Sequence, residues 1–176
     1  YEMGVNLFSP KRSAVTNVNP SGITLAETQS DSNYFLVPEF GYNRQIDAKT
    51  SFGITVYGNG GMNTNYSLPI MGGTGRTGVD LMQLIVAPTV AYKLNDQHSF
   101  GASPLLVYQK FKAEGLQGFQ ISPNKGADSS TGLGIRFGYF GQLSDQVSVG
   151  VSHSPKISMS KFDKYSGLFA NQGEFD

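Results

Sequence analysis

Cysteine and tryptophan are missing from this chain of 176 residues, and charged side chains are sparse. Without cysteine, the sequence excludes disulfide frameworks, thiolate metal sites and cysteine nucleophiles. The 13 basic and 13 acidic residues cancel to a formal net charge of zero, which argues against binding to nucleic acid or to an anionic membrane surface. The chain also lacks a run of about 18 apolar residues, so no transmembrane helix is predicted.

The chain does contain segments in which apolar residues alternate with small or polar ones. In the clearest of them, one face carries five apolar residues: Leu84, Val86, Pro88, Val90 and Tyr92. The other face is free of charge and becomes more polar toward its end: Ile85, Ala87, Thr89 and Ala91. A strand that faces lipid on one side and a lumen on the other has this composition. The pattern therefore favours a transmembrane β-barrel.

Six stretches show this alternation and about seven strands are expected, with connections that alternate in length. The predicted strands lie at about 1–11, 33–42, 50–58, 79–94, 98–112, 131–143 and 147–159. Short turns alternate with long loops, the short ones at 44–49, 95–97 and 144–146. Outer-membrane barrels have short periplasmic turns and long external loops, and their tilted strands need about 9–11 residues. We therefore predict an all-β fold, an antiparallel transmembrane β-barrel.

A secreted β-sandwich would show the same alternation. Its outer face should carry charge, whereas Glu39, Arg136 and Lys156 are nearly the only charged residues inside the predicted strands, and their parity points them inward. Four prolines also lie inside predicted strands, on the outward face: Pro38, Pro88, Pro104 and Pro155. Because proline removes a donor from the ladder, β-bulges are expected at these positions.

Four long stretches carry a family resemblance: NYFLVPEFGYNRQI (33–46), SFGITVYGNGGMNT (51–64), GVDLMQLIVAPTVAYKLNDQHS (78–99) and ISMSKFDKYSGLFANQGEFD (157–176). They resemble the FadL-type outer-membrane transporters of long-chain fatty acids and other hydrophobic compounds. That family has a fourteen-stranded barrel plugged by an N-terminal hatch. Seven strands alone would leave two open edges in lipid, with unsatisfied backbone groups. The resemblance therefore implies that residues 1–176 are one partial barrel domain, without the hatch and the C-terminal strands.

The resemblance implies passive transport across the outer membrane of a Gram-negative bacterium. In the family, a long-chain fatty acid or another hydrophobic molecule is captured at an external groove, passes to an inner pocket and leaves through a side opening. The expected partners are this cargo and the lipid and lipopolysaccharide of the outer membrane, around a monomeric barrel. The sequence shows no Ser-His-Asp spacing, metal-ligand cluster or phosphate loop, so neither enzyme activity nor a cofactor is predicted.

One candidate binding surface is an apolar stripe near the end of the sequence, in which residues recur at helical spacing: Phe162, Tyr165, Leu168 and Phe169. In an external loop this stripe could hold an acyl chain, which gains about 0.8 kcal/mol per buried CH₂. Alternatively, it only packs the loop onto the barrel rim. The resembling family uses this region for its groove. The same helical spacing disfavours the alternative of a small eight-stranded structural or adhesive barrel, which would need residues 161–176 as a strand.

Two further candidate sites lie in the predicted barrel. Arg136 and Lys156 are expected to bind a fatty-acid carboxylate in the lumen, because arginine holds a carboxylate through charge-assisted hydrogen bonds. The structural alternative is an ion-pair network of these cations with Glu39. The other candidate is a set of glycines that mark a bulge or bend: Gly58, Gly60 and Gly61. In the resembling family an inward kink of an early strand makes the lateral exit; a flexible strand end is the alternative here.

Overall fold

The computed structural model describes residues 1–15, 27–69, 74–117 and 124–168. It contains ten strands: β1 (Glu2–Phe8), β2 (Ser13–Ala14), β3 (Thr28–Gln29), β4 (Phe35–Gln45), β5 (Thr50–Tyr66), β6 (Thr77–Lys93), β7 (His98–Glu114), β8 (Asp128–Gln142), β9 (Ser148–His153) and β10 (Ser158–Met159). A short 3-10 helix follows at Asp163–Tyr165. Within these ranges, no helix has the length and apolar character needed to cross a membrane.

All the long strands belong to one antiparallel sheet with the order β1-β4-β5-β6-β7-β8. Both β9 and β10 pair with the remaining edge of β8, so together they form one interrupted strand. The sheet therefore has seven strand positions and forms an antiparallel half-barrel. This confirms the predicted all-β fold. Strands β5, β6 and β7 have 17 residues each, more than the about 9–11 that a tilted membrane crossing needs.

Side chains alternate between the two faces of this sheet, as the sequence pattern predicts. Along β7, Ser103, Leu105 and Val107 are buried on the inner face, whereas Leu106 and Tyr108 are exposed on the outer face. The outer face of the neighbouring strands is likewise apolar and exposed: Leu84, Val90, Tyr92, Leu133, Ile135 and Phe137. A continuous apolar face of this size is unfavourable in water and favourable in hydrocarbon, so it is the lipid-facing side of a barrel wall.

Each short turn is closed by a polar side chain that accepts hydrogen bonds from backbone N–H groups two and three residues later. Asp47 Oδ1 accepts from the backbone nitrogens of Lys49 and Thr50, both at 2.8 Å. Asn95 and Ser144 make the same pattern in the next two short turns. The two backbone donors, that of Lys49 first, hold the pKa of Asp47 below its ordinary value. Three hairpins are thus held in register at the short-turn end of the sheet.

Two of the in-strand prolines open the ladder between β6 and β7. Pairing stops after Val86 and resumes at Val90 with an unchanged register. Pro88 and Pro104 face each other in the middle of this gap, where neither strand has an N–H to donate. The expectation of a β-bulge is therefore wrong for both residues, because the ladder is interrupted without gaining a residue.

The other two prolines behave differently from each other. Pro38 stays in register with Val5 of β1, so no bulge forms there and that expectation is also wrong. Around Pro155, the segment between β9 and β10 has one residue more than the part of β8 that it faces. The expected bulge lies at this position, and it separates the last predicted strand into two short pieces.

The buried side chains form two clusters on the inner face of the sheet. One lies near mid-strand: Ile85, Ala87, Leu105, Val107 and Met159. The other lies toward the long-loop end: Phe111, Ala113, Phe162 and Tyr165. Residues 157–168, which we call the inner segment, supply members of both clusters. The chain after β9 therefore folds inward across the sheet instead of continuing straight along its edge.

Candidate functional site

The glycine cluster of the sequence coincides with a β-bulge in β5. The register between β5 and β6 shifts by one residue between Gly58 and Gly61. Two residues of β5, of which Gly60 is one, therefore face the single residue Gln83 of β6. β5 continues past the bulge to Tyr66, so the loop expected from residue 59 is strand up to this point.

β4 and β5 separate where this bulge begins. Their last ladder pair joins Glu39 to Tyr57, and the next bridge joins Ser30 to Tyr66. The long loops are at this end of the sheet, so the separation is in its external half. It leaves a gap, which we call the wall opening, bordered by two stretches of chain: residues 31–38 and 58–65.

A cavity of about 590 Å³ fills the wall opening. Its lining is mainly apolar and comes from strands on both sides: Phe8, Phe35, Val37, Leu81, Met82 and Leu84. Two charged residues, Arg12 and Asp80, also line it. The volume lies within the about 300–1,000 Å³ that is usual for small-molecule sites. The wall opening can therefore hold a hydrophobic molecule between the lumen and the lipid-facing surface.

Glycine at position 58 keeps this space free. A Cβ atom there would lie 3.1 Å from Cγ1 of Val37, which is on the opposite border. At Gly61, a Cβ would lie 3.4 Å from the carbonyl oxygen of Leu81. A larger side chain at Gly58 would consequently enter the cavity or push β4 away from β5.

Arg12 connects the two borders at the external end of the wall opening. Its terminal guanidinium nitrogens donate to the backbone carbonyls of Ser32 and Asn63, one on each border. Its Cζ lies 5.3 Å from the centroid of the Phe35 ring, a cation–π contact. Sequence reasoning missed Arg12, because it lies in a predicted loop without periodicity, and nothing in its neighbourhood along the chain indicates these distant partners.

The structure places the apolar stripe on the inner face of the sheet. Phe162 and Tyr165 are fully buried against Phe111, with ring centroids 5.7 and 4.8 Å away. Leu168 is half-buried beside this cluster, and Phe169 lies outside the described residues. Phe162 and Tyr165 therefore do pack against the barrel wall. A role of the stripe in binding stays a prediction.

Hydrogen bonds hold Tyr165 in this position. Its hydroxyl oxygen accepts from the backbone N–H of Ala113 at 3.0 Å and donates to the carbonyl of Gly126 at 2.5 Å. The phenol therefore joins the end of β7 to the chain that leads into β8. These bonds satisfy a polar group that would otherwise be costly to bury.

Arg136 lies on the inner face of β8, directly opposite Ser103 of β7. Its Nε donates to Ser154 Oγ at 2.8 Å. Ser103 in turn shares a 2.7 Å hydrogen bond with Thr89, across the gap made by the two facing prolines. A polar row thus crosses the inner face below the apolar cluster. Lys156 is exposed in the segment between β9 and β10.

The structure does not bring Arg136 together with Glu39. Three strands lie between β4 and β8 in the sheet, which corresponds to about 19 Å at the usual strand spacing. The Glu39 side chain instead lies over Gly4 of β1, where a Cβ atom would collide with its carboxylate. The alternative of an ion pair between Arg136 and Glu39 is therefore wrong.

These features together define a class of protein. Long antiparallel strands with a lipid-compatible outer face and short turns at one end form the wall of an outer-membrane barrel. The family of outer membrane transport proteins described as OMPP1/FadL/TodX matches residues 3–173. The chain belongs to this family, and it is a protein of the Gram-negative outer membrane.

Solved structures show the same fold. The toluene transporter TodX of Pseudomonas putida is 18% identical with a TM-score of 0.68, and the match covers 89% of this chain and 49% of TodX. The toluene transporter TbuX of Ralstonia pickettii is 16% identical with a TM-score of 0.65, over 89% of this chain and 49% of TbuX. The chain thus spans about half the length of these proteins. No curated protein matches the sequence.

Proposed function

We propose that this chain contributes about half of a barrel that passes hydrophobic molecules, including long-chain fatty acids, passively across the outer membrane. The cargo leaves sideways through the wall opening. The observation that carries the proposal is the separation of β4 and β5 on the external side of the Glu39–Tyr57 pair, with a mainly apolar cavity in the gap. Each CH₂ group of the cargo that is buried in the cavity contributes about 0.8 kcal/mol to binding, so the affinity needs no energy source. Family membership supports transport rather than catalysis.

The lateral route has a physical advantage for such a cargo. A hydrophobic molecule that left through the periplasmic end would have to enter water, at a cost proportional to its apolar area. Through the wall opening it passes directly from an apolar cavity into the hydrocarbon of the bilayer. The bulge at Gly58–Gly61 supports this route, because both glycines line the cavity where β5 no longer pairs with β4.

We further propose that the apolar stripe is part of the surface where cargo is first captured. The members are Phe162, Tyr165, Leu168 and Phe169. In support, the described members lie at the long-loop end of the inner face, between the external side and the lumen. Outer-membrane lipid and lipopolysaccharide surround the barrel as its other partners, and a single barrel is sufficient for this route.

The proposal is tested with the full-length protein that contains this chain, expressed in a strain without its own hydrophobic-compound transporter. Uptake of radiolabelled oleate and of toluene should rise above that of the empty strain, while uptake of a small sugar should not. If hydrophobic uptake stays at the level of the empty strain, the protein is a structural or adhesive barrel. If the sugar enters as well, the protein is a general pore.

Arg136 is proposed to position the carboxylate of a fatty acid in the lumen. Replacing it as Arg136→Ala removes a charge-assisted hydrogen bond worth about 1.5–3 kcal/mol, so oleate should bind about 10- to 100-fold more weakly. Lys156→Ala should have a smaller effect, because Lys156 is exposed. Isothermal titration of the purified full-length protein with oleate measures both, with the exposed Arg44→Ala as the control. Unchanged oleate affinity in Arg136→Ala would rule out this role.

A further inference from the structure

Arg12 lines the cavity of the wall opening, and one of its three guanidinium nitrogens is buried without a hydrogen-bond partner. Its terminal nitrogens donate to the carbonyls of Ser32 and Asn63, but its Nε is buried and has no hydrogen-bond partner. A buried donor without a partner costs about 1–3 kcal/mol, and more when the group is charged. Because guanidinium nitrogen can only donate, the missing partner must be an acceptor.

The guanidinium also has no counter-ion among the residues that the structure describes. Neither ion pair among the described residues includes Arg12. Asp80 is a carboxylate that lines the same cavity, but its Oδ1 accepts from Asn63 Nδ2 at 2.8 Å. The guanidinium lies instead over the ring of Phe35. A cation at the edge of an apolar cavity is most strongly stabilised by an anion that can accept its free N–H.

We infer that Arg12 binds the carboxylate of a single-chain amphipathic cargo held in the wall opening, an inference that rests on the proposed release through this opening. The carboxylate pairs with the Arg12 guanidinium, and the alkyl chain fills the apolar part of the cavity next to Val37 and Leu84. The charged head then lies at the external end and the chain extends toward mid-membrane. This is the orientation that a fatty acid takes in the outer leaflet, so release requires no reversal of the molecule.

This arrangement also makes Arg12 a residue that sets specificity. A neutral hydrocarbon can occupy the same cavity, but it gains nothing from the charge of the guanidinium. A carboxylate with the same chain length binds more tightly by the energy of the charge-assisted hydrogen bond. Arg12 therefore favours fatty acids over neutral compounds, independently of the length that the cavity accepts.

The test compares oleate with methyl oleate, which has the same chain and no charge, in the full-length protein. Arg12→Gln should weaken oleate binding about 10- to 100-fold, the loss of about 1.5–3 kcal/mol, and weaken methyl oleate binding much less, because the ester carbonyl is only an uncharged hydrogen-bond acceptor. Arg12→Lys keeps the charge and should recover part of the oleate affinity. Arg76→Gln is the matched control, since Arg76 pairs with Asp31 and is not among the residues that line the cavity.

Two outcomes would overturn the inference. An equal loss for oleate and methyl oleate would mean that Arg12 only connects the borders of the opening. Unchanged binding of both would mean that the carboxylate binds elsewhere. Neither outcome decides the proposed lateral release, because that is measured separately by closing the opening between Val37 and Gly58. If closure blocks uptake while Arg12→Gln changes the binding of oleate and methyl oleate equally, the lateral route stands and only the role of Arg12 is disproved.

Discussion

Uptake of oleate and toluene should stop when cysteines introduced as Val37→Cys and Gly58→Cys are joined in a disulfide, and resume after reduction. The Cβ position at 58 lies 3.1 Å from Cγ1 of Val37. A disulfide needs Cβ atoms about 3.5–4.5 Å apart, and the Cβ of Val37, which is bonded to this Cγ1, lies within reach of that range. The bond would tie the two borders together across the cavity, so that cargo in the lumen loses its way into the bilayer.

The absence of cysteine from this sequence makes the experiment specific, provided that the rest of the full-length protein is also free of cysteine. A matched control is the pair Gly41→Cys and Thr55→Cys, which are opposite each other in the intact β4–β5 ladder below the opening. That disulfide should leave uptake unchanged. Undiminished transport by the oxidised Val37/Gly58 pair would disprove release through the wall opening.

Phe162→Ala should lower the free energy of unfolding of the full-length barrel by about 3–5 kcal/mol, the usual cost of truncating a buried phenylalanine. Phe162 is completely buried and contacts Phe111, 5.7 Å away between ring centroids. Its removal leaves a hole between the inner segment and β7, so the segment should detach. Urea unfolding in lipid vesicles, followed by circular dichroism, measures the change.

Phe140→Ala is the control for this substitution, because it makes the same truncation at a side chain that is 52% exposed. It should change the stability far less. Oleate affinity measured on the same samples separates the two roles of the apolar stripe. Lower stability with unchanged affinity would assign Phe162 to packing alone, and unchanged stability would contradict the packing seen in the structure.

The strands were predictable from the sequence because their signal is local. Around Leu84–Tyr92, alternation with a period of two fixes both the strand and the face that meets lipid, and β6 extends over this range. The short turns were predictable for a similar reason: Asp47 and Asn95 bind backbone groups only two and three residues away. Such features need no information from distant parts of the chain.

The strand ends and prolines were harder to predict. β5 was expected to end at residue 58, because the glycine-rich stretch that follows has no alternation. It continues to Tyr66 because β6 offers a pairing partner as far as Thr77. Pro88 and Pro104 were each expected to cause a bulge. They face each other across one ladder, so a single gap accommodates both, and that register cannot be read from either segment alone.

By itself, the sequence determined that the chain is a membrane β-barrel and which side chains face lipid, and it marked the glycines at 58, 60 and 61 as either a bulge or a flexible strand end. Each of these follows from neighbouring residues and from the demands of a hydrocarbon solvent. Only the tertiary structure decided that β4 and β5 separate above Glu39, and that Arg12 connects the borders through residues 20 and 51 positions away. The wall opening exists because part of β4 does not pair with β5. Which strands lose contact depends on the register of the whole sheet, and no single segment contains that information.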